Sequence, residues 1–342
     1  MQLDWLKVLL LTGVFVLVLL GTWIAFAEKD PELEREIRTA TQEQLEQWFP
    51  EAMALPPELV GFQRGDSESP NPHVVLIHGL DEPGGIWDET LAAFADEGIE
   101  AWEFRYPNDQ AIDRSADLLA QYWSSLEGEE PIILIGHSMG GLVIRDFITR
   151  WRYPSDGKAK IGGPEVLGVI QVGPPNQGSA WARFRAWLEV REWLSHIPEG
   201  QLSPFIGFRQ GTGAAKIDLR PGSQFLTDLN SRTWPEKVKI QIIGGKLSEP
   251  TYSMLENIDQ IARDLDITDV RERMETWWEE IGDDLGDGVV PLSSLPFNGA
   301  PEPMLFPASH RGLLITMPLV DTPPPAIAPM IDTVKSWRRS LR

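Results

Sequence analysis

The chain has 342 residues, 42% of them apolar, which suits one large α/β domain or two small ones. Its 51 acidic residues outnumber 30 basic ones, giving a formal charge of −21 that disfavours nucleic acid as a partner. There is no cysteine, which excludes disulfides, thiolate metal sites, a cysteine nucleophile and a lipidated N-terminal cysteine; five histidines leave little room for a histidine metal cluster.

In chain order, residues 8–27 come first and carry no charge. At ~1.5 Å per residue they reach ~30 Å, the thickness of the hydrocarbon layer, with Trp5 and Trp23 near the ends as an aromatic belt would be. A transmembrane anchor and a signal segment, with Ala25-Phe26-Ala27 as its cleavage site, both fit residues 1–27. The run is longer than the usual signal core, which favours a retained N-terminal transmembrane helix; cleavage would instead give a secreted protein. Lys7 before the span and Lys29, Arg35 and Arg38 after it favour a cytoplasmic domain by count, whereas the possible cleavage site favours an extracytoplasmic one.

Residues 28–72 read as a juxtamembrane helix, or a solvated spacer, followed by an irregular link. Leu33, Ile37, Leu45 and Trp48 fall near helical spacing, and Pro56, Pro57, Pro70 and Pro72 punctuate the link. The main domain then spans 73–342. Its strand-like runs are 74–77, 99–104, 132–135, 166–172, 238–243 and 304–306. Between the second and third, Ile112, Ala116, Leu119, Tyr122, Trp123 and Leu126 share one helical face. Short apolar runs alternating with amphipathic helices predict an α/β fold, a mostly parallel sheet with helices on both faces. Two stretches interrupt the alternation. Residues 180–236, with Trp181, Trp187, Trp193, Phe205 and Phe208, read as a lid; residues 252–284 carry two apolar stripes and read as a helical insertion.

The chemistry centres on PIILIGHSMGGLVIRD, residues 131–146. A strand-like run breaks at Gly136-His137-Ser138-Met139-Gly140 and a helical pattern follows, the setting of a G-x-S-x-G nucleophile turn. The bare pentapeptide arises by chance in roughly one chain in ten of this length, so its flanks carry the argument. A serine needs a base, normally histidine held by a carboxylate. In the α/β-hydrolase arrangement, which this glycine-flanked serine turn resembles, the order is serine, acid, histidine, each from a loop at a strand's carboxyl end. His73 and His78 precede the serine, His137 lies within the turn with its side chain expected to point away, and His196 sits in the lid. His310, after the last strand, is the remaining candidate base. Asp283, Asp284 and Asp287 are the candidate acids. The two glycines around Asp287 suit a turn that projects a carboxylate. Oxyanion donors are expected from the backbone N–H groups of Met139, after the serine, and of Leu80, after the first strand.

Six segments occur in order: LIHGL at 76–80, GHSMGG at 136–141, GPPNQGS at 173–179, DLRPGSQFLTDLN at 218–230, DGVVPLSS at 287–294 and SH at 309–310. As a set they resemble the lipase/esterase branch of the α/β-hydrolase superfamily, including bacterial triacylglycerol lipases and GPI-inositol-deacylase-like proteins. The resemblance implies an α/β-hydrolase fold, a Ser138–Asp287–His310 triad and hydrolysis of a carboxylic ester, often of a lipid; anchoring beside a bilayer would suit lipid or lysolipid esters. It implies no cofactor. Calcium-dependent lipases of this type carry an aspartate shortly after the histidine, whereas Arg311-Gly312-Leu313-Leu314 follow His310 here, so no metal is expected. Acyl transfer or thioester hydrolysis would use the same triad, and a non-catalytic binding protein would require a broken one. Nothing in the chain indicates its oligomeric state.

Overall fold

A computed structural model describes residues 29–64, 69–80, 82, 85–126, 128, 130–179, 209–247, 285–317 and 322–341. Within them seven strands form one sheet in the order β1-β3-β2-β4-β5-β6-β7. The strands are β1 Gly61–Gln63, β2 Val74–Ile77, β3 Ala101–Arg105, β4 Ile132–His137, β5 Val166–Val172, β6 Lys239–Lys246 and β7 Met304–Pro307. All neighbours are parallel except β1, which runs antiparallel to β3. Runs such as Val74-Val75-Leu76-Ile77 are apolar throughout because both faces of a parallel sheet are covered.

Alternation along the strands sorts the core into two layers. Val75, Ile77, Ile132 and Leu134 join one cluster with helices α3 (Ile112–Trp123) and α4 (Met139–Asp146). Val74, Leu76, Ile133 and Ile135 join the other with α2 (Asp88–Asp96) and α7 (Ile327–Arg339). The sheet thus has helices on both faces, as expected. The chain passes from β2 out to β3 and then back across β2 to β4. Loops leaving β2 and β4 therefore diverge, and a crevice opens at the carboxyl ends where strand order reverses.

Some expectations need correction. The stretch read as an irregular link contributes β1, whose three residues pair with Arg105, Phe104 and Glu103 of β3. So short a strand, with Gly61 at positive φ, gives too weak a period to be seen in sequence. Residues 209–236, read as part of a lid, hold α5 (Ala214–Asp218) and α6 (Gln224–Ser231), and Ala215, Leu219, Phe225, Leu226 and Leu229 lie in the main core. Residues 180–208, 252–284 and the apolar run 8–27 lie outside the described residues. Among the described residues, no helix is long and apolar enough to cross a membrane.

Helix α1 (Pro31–Trp48) forms where its periodicity places it, with Asp30 capping the Leu33 N–H at 3.1 Å and Pro31 in the first turn. Its apolar spacing does not mark its buried face. Leu33, Ile37 and Trp48 are exposed, while Glu34 and Gln42 are buried. Charge decides the docking. Arg35 pairs with Asp218 of α5 and, at 2.9 Å, with Asp113 of α3. Arg38 pairs with Glu34 and donates to the Thr212 carbonyl, and the Thr212 hydroxyl donates to the Arg38 carbonyl at 2.8 Å.

Asp218 is fully buried and also accepts the Ile112 N–H at 2.8 Å, so one carboxylate joins three helices. Burial raises its pKa from 3.8 to about 7 against the opposing pull of Arg35. Arg35→Met should cost roughly 3–5 kcal/mol near pH 8, because it leaves a buried charge unpaired. The folded protein binds a proton on Asp218 that the unfolded chain releases above pH 3.8. Stability therefore falls as pH rises through that window, and more steeply without Arg35. Denaturant melts of parent and variant at pH 5.5 and 8 should show a smaller deficit at the lower pH; equal deficits would refute this account.

Candidate active site

Ser138 connects β4 to α4 with φ 53° and ψ −127°, and is the one non-glycine at positive φ among the described residues. An L-residue pays of order 1–2 kcal/mol to sit in this region. The surroundings hold it there. Its N–H donates to Val172 O on β5 at 2.8 Å, and its carbonyl accepts the Gly141 N–H at 3.0 Å. A Cβ on Gly140 would lie 2.2 Å from Ile77 O, and one on Gly136 would lie 2.6 Å from the Gly140 carbonyl carbon. Both glycines are therefore required for helix and strand to meet this closely.

The loop after β2 passes directly over the serine: a Cβ on Gly79 would be 2.9 Å from Ser138 Cβ. The next residue is Leu80. Neither its N–H nor that of Met139 donates to an acceptor among the described residues. Met139 opens α4, where first-turn N–H groups have no intrahelical partner and the helix dipole is positive. Two rings secure the loop. His78 stacks on Tyr106 at 4.4 Å and donates from Nδ1 to Gly79 O at 3.0 Å, while the Tyr106 hydroxyl donates to His78 O at 2.6 Å. Burial lowers the His78 pKa to about 4, so the ring is neutral at physiological pH.

Asp287 and His310 meet. His310 Nδ1 lies 2.7 Å from Asp287 Oδ2. The other carboxylate oxygen accepts the N–H groups of Val289 and Val290 at 3.0 and 2.8 Å. Gly286 and Gly288, at φ 56° and 90°, form the turn that aims the side chain inward. With the carboxylate as acceptor, Nδ1 of His310 carries the proton and Nε2 is left with its lone pair. Asp283 and Asp284, the other candidate acids, lie outside the described residues.

The pair lies beside the serine turn. Gly173 directly follows Val172, the residue that accepts the Ser138 N–H. A Cβ on Gly173 would lie 3.1 Å from His310 Cε1 and 3.2 Å from Asp287 Oδ2, a tight fit, and its φ of 58° favours glycine there. No hydrogen bond joins Ser138 Oγ to His310 in this structure; unliganded hydrolases often hold this contact long until substrate binds.

Sequence reasoning missed several neighbours. Arg311 Nη1 donates to both carboxylate oxygens of Glu82, at 2.9 and 2.8 Å, tying the Leu80 loop to the His310 loop. The Glu82 carboxyl is 4% exposed, and burial raises its pKa. His137, expected to point away from the site, is turned off the serine's side but packs against His310. His73 is at the far end of β2, with Nδ1 accepting the Glu100 N–H at 3.1 Å, and His196 lies outside the described residues. No group of three His, Asp or Glu side chains among the described residues is placed to hold a metal ion.

A serine in a strained strand-to-helix turn, with a histidine–aspartate pair from later loops of a mostly parallel sheet, defines a class of protein: the α/β hydrolases. Residues 74–327 match the alpha/beta hydrolase family, and the chain belongs to it. No curated protein matches it in sequence. Among solved structures, the propeptide form of lipase BlEst2 from Bacillus licheniformis aligns with a TM-score of 0.51 at 17% identity, over 79% of this chain and 53% of that one. The chain thus spans about half the length of that structure. The mature form of the same lipase gives 0.48 at 17% identity over 73% and 91%. The metagenomic carboxyl esterase MGS0156 gives 0.49 at 16% identity over 77% and 74%. At 17% identity the likeness to the propeptide form is one of fold.

Proposed function

We propose that this protein hydrolyses carboxylic esters through an acyl-enzyme on Ser138. The observation that carries this reading is the 2.7 Å bond between His310 and Asp287, beside a serine in a strained turn. Ser138 Oγ attacks the ester carbonyl while His310 Nε2 takes its proton. Asp287 orients the ring and stabilises the imidazolium. The oxyanion is met by the N–H groups of Leu80 and Met139, and His310 returns the proton to the departing alcohol. Water, activated by the same histidine, then releases the acid and frees the serine.

We further propose that residues 8–27 tether this hydrolase to a membrane, with residues 73–342 on the extracytoplasmic side and lipid or lysolipid esters as substrates. The uncharged, span-length sequence supports the tether. Protease added to intact cells should cut the domain; cutting only after the cells are opened would place it inside. Full-length protein in detergent should hydrolyse p-nitrophenyl esters. Each buried methylene contributes ~0.8 kcal/mol, so octanoate should exceed butyrate about tenfold in kcat/KM if two of the added four are buried. A flat or falling profile would argue against lipid substrates, and no hydrolysis of any ester would refute the reading.

The Glu82–Arg311 pair yields a second expectation. Arg311→Gln should lower kcat about tenfold with KM little changed, because the loop carrying Leu80 loses its tie to the His310 loop. Exchanging the two residues, Glu82→Arg with Arg311→Glu, should restore most of the loss. Failure of the exchange, with both proteins folded, would leave the pair without a part in placing the Leu80 loop.

A further inference from the structure

We propose that His137 is a positioning residue for His310: its Nε2–H holds the His310 carbonyl, so the turn that presents the nucleophile also sets the base. This inference rests on the Ser138–His310–Asp287 reading above. His137 is the last residue of β4 and continues the alternation of Ile133 and Ile135, so it faces the layer opposite to the α4 side. Its ring is edge-on to buried Trp87 at 6.4 Å, and the rings of His137 and His310 lie 4.7 Å apart with a 42° tilt.

His137 Nε2 is 3.2 Å from the His310 carbonyl oxygen. A carbonyl can only accept, so Nε2 carries the proton. Nδ1 is buried and has no partner among the described residues. Burial holds the His137 pKa well below 6.5, so the ring stays neutral.

His310 is thereby held at three points. Its N–H donates to the Asp287 carbonyl at 2.9 Å, its Nδ1–H to the Asp287 carboxylate at 2.7 Å, and its carbonyl accepts from His137. The first two bonds fix His310 relative to Asp287 only. The third comes from the residue next to Ser138, and it therefore sets the base relative to the nucleophile. An apolar residue of similar size would fill the same space but leave the carbonyl free to shift. A displacement of about 1 Å at such a contact can cost 10²-fold.

The test uses full-length protein in detergent and reads the rate of labelling by a fluorophosphonate, with kcat and KM on p-nitrophenyl butyrate alongside. Gln at 137 carries an amide nitrogen near the position of Nε2; Asn is too short, and Phe keeps the ring without the donor. His137→Gln should label within about threefold of the parent. His137→Asn and His137→Phe should label about 10–100-fold more slowly, with KM changed less than threefold. If Phe prevents folding, the Gln–Asn comparison decides alone. Equal rates for Gln and Asn would overturn the proposal while leaving the triad standing. An unlabelled parent would instead remove the triad reading itself. Nitrogen-15 spectra of the histidine-labelled parent supply an independent arm: a proton on Nδ1 of His137 would overturn the proposal whatever the variants do.

Discussion

Ser138→Ala will hydrolyse p-nitrophenyl esters on the order of 10⁵-fold more slowly than the parent, and a fluorophosphonate will no longer label the protein. The residual rate over water will reflect binding and the oxyanion donors, which the substitution leaves in place. The fold should tolerate the change. Alanine removes a single oxygen that makes no hydrogen bond among the described residues, and the positive φ is imposed by the packing of Gly136 and Gly140 rather than by the hydroxyl. Alanine in that region is as strained as serine, so the melting temperature should move little. A variant that keeps full activity and folds normally would end the serine mechanism.

Asp287→Asn will lower kcat about 10⁴-fold with KM nearly unchanged. The reason is the tautomer. Oδ1 of residue 287 accepts two backbone N–H groups, so an asparagine will place its oxygen there and turn its NH₂ towards His310. That NH₂ can only donate. His310 Nδ1 must then accept, and its proton moves to Nε2, which can no longer receive one from the serine. The side chain is the same size and remains bonded at Oδ1, so the loss is not one of packing. Steady-state kinetics with a melting curve check this. A loss of less than tenfold would mean that another carboxylate orients His310.

The docking of α1 and the correction to the lid share a cause. Helix α1 is legible from its spacing, yet Leu33, Ile37 and Trp48 face outward while Glu34 and Gln42 are buried. Periodicity reports that a segment is amphipathic; it does not report what the other side meets. Here the other side presents Asp218, Asp113 and the Thr212 carbonyl, and arginines on α1 answer them. Likewise, 209–236 looked like lid because it broke the strand–helix alternation, but the residues that follow Gly213 bury Ala215, Phe225 and Leu229 in the core.

By itself the sequence determined the alternation of buried strands and amphipathic helices and the glycine-flanked serine turn. These are local properties: a pleat of period two, a helix of 3.6, and backbone angles that glycine permits. Only the tertiary structure decided that β4 lies between β2 and β5, that Gly173 borders both the serine turn and the His310–Asp287 pair, and that His137 reaches a carbonyl 173 positions later. Contacts at such separation depend on strand order and on which carboxyl ends adjoin, and no short-range pattern in the chain encodes either.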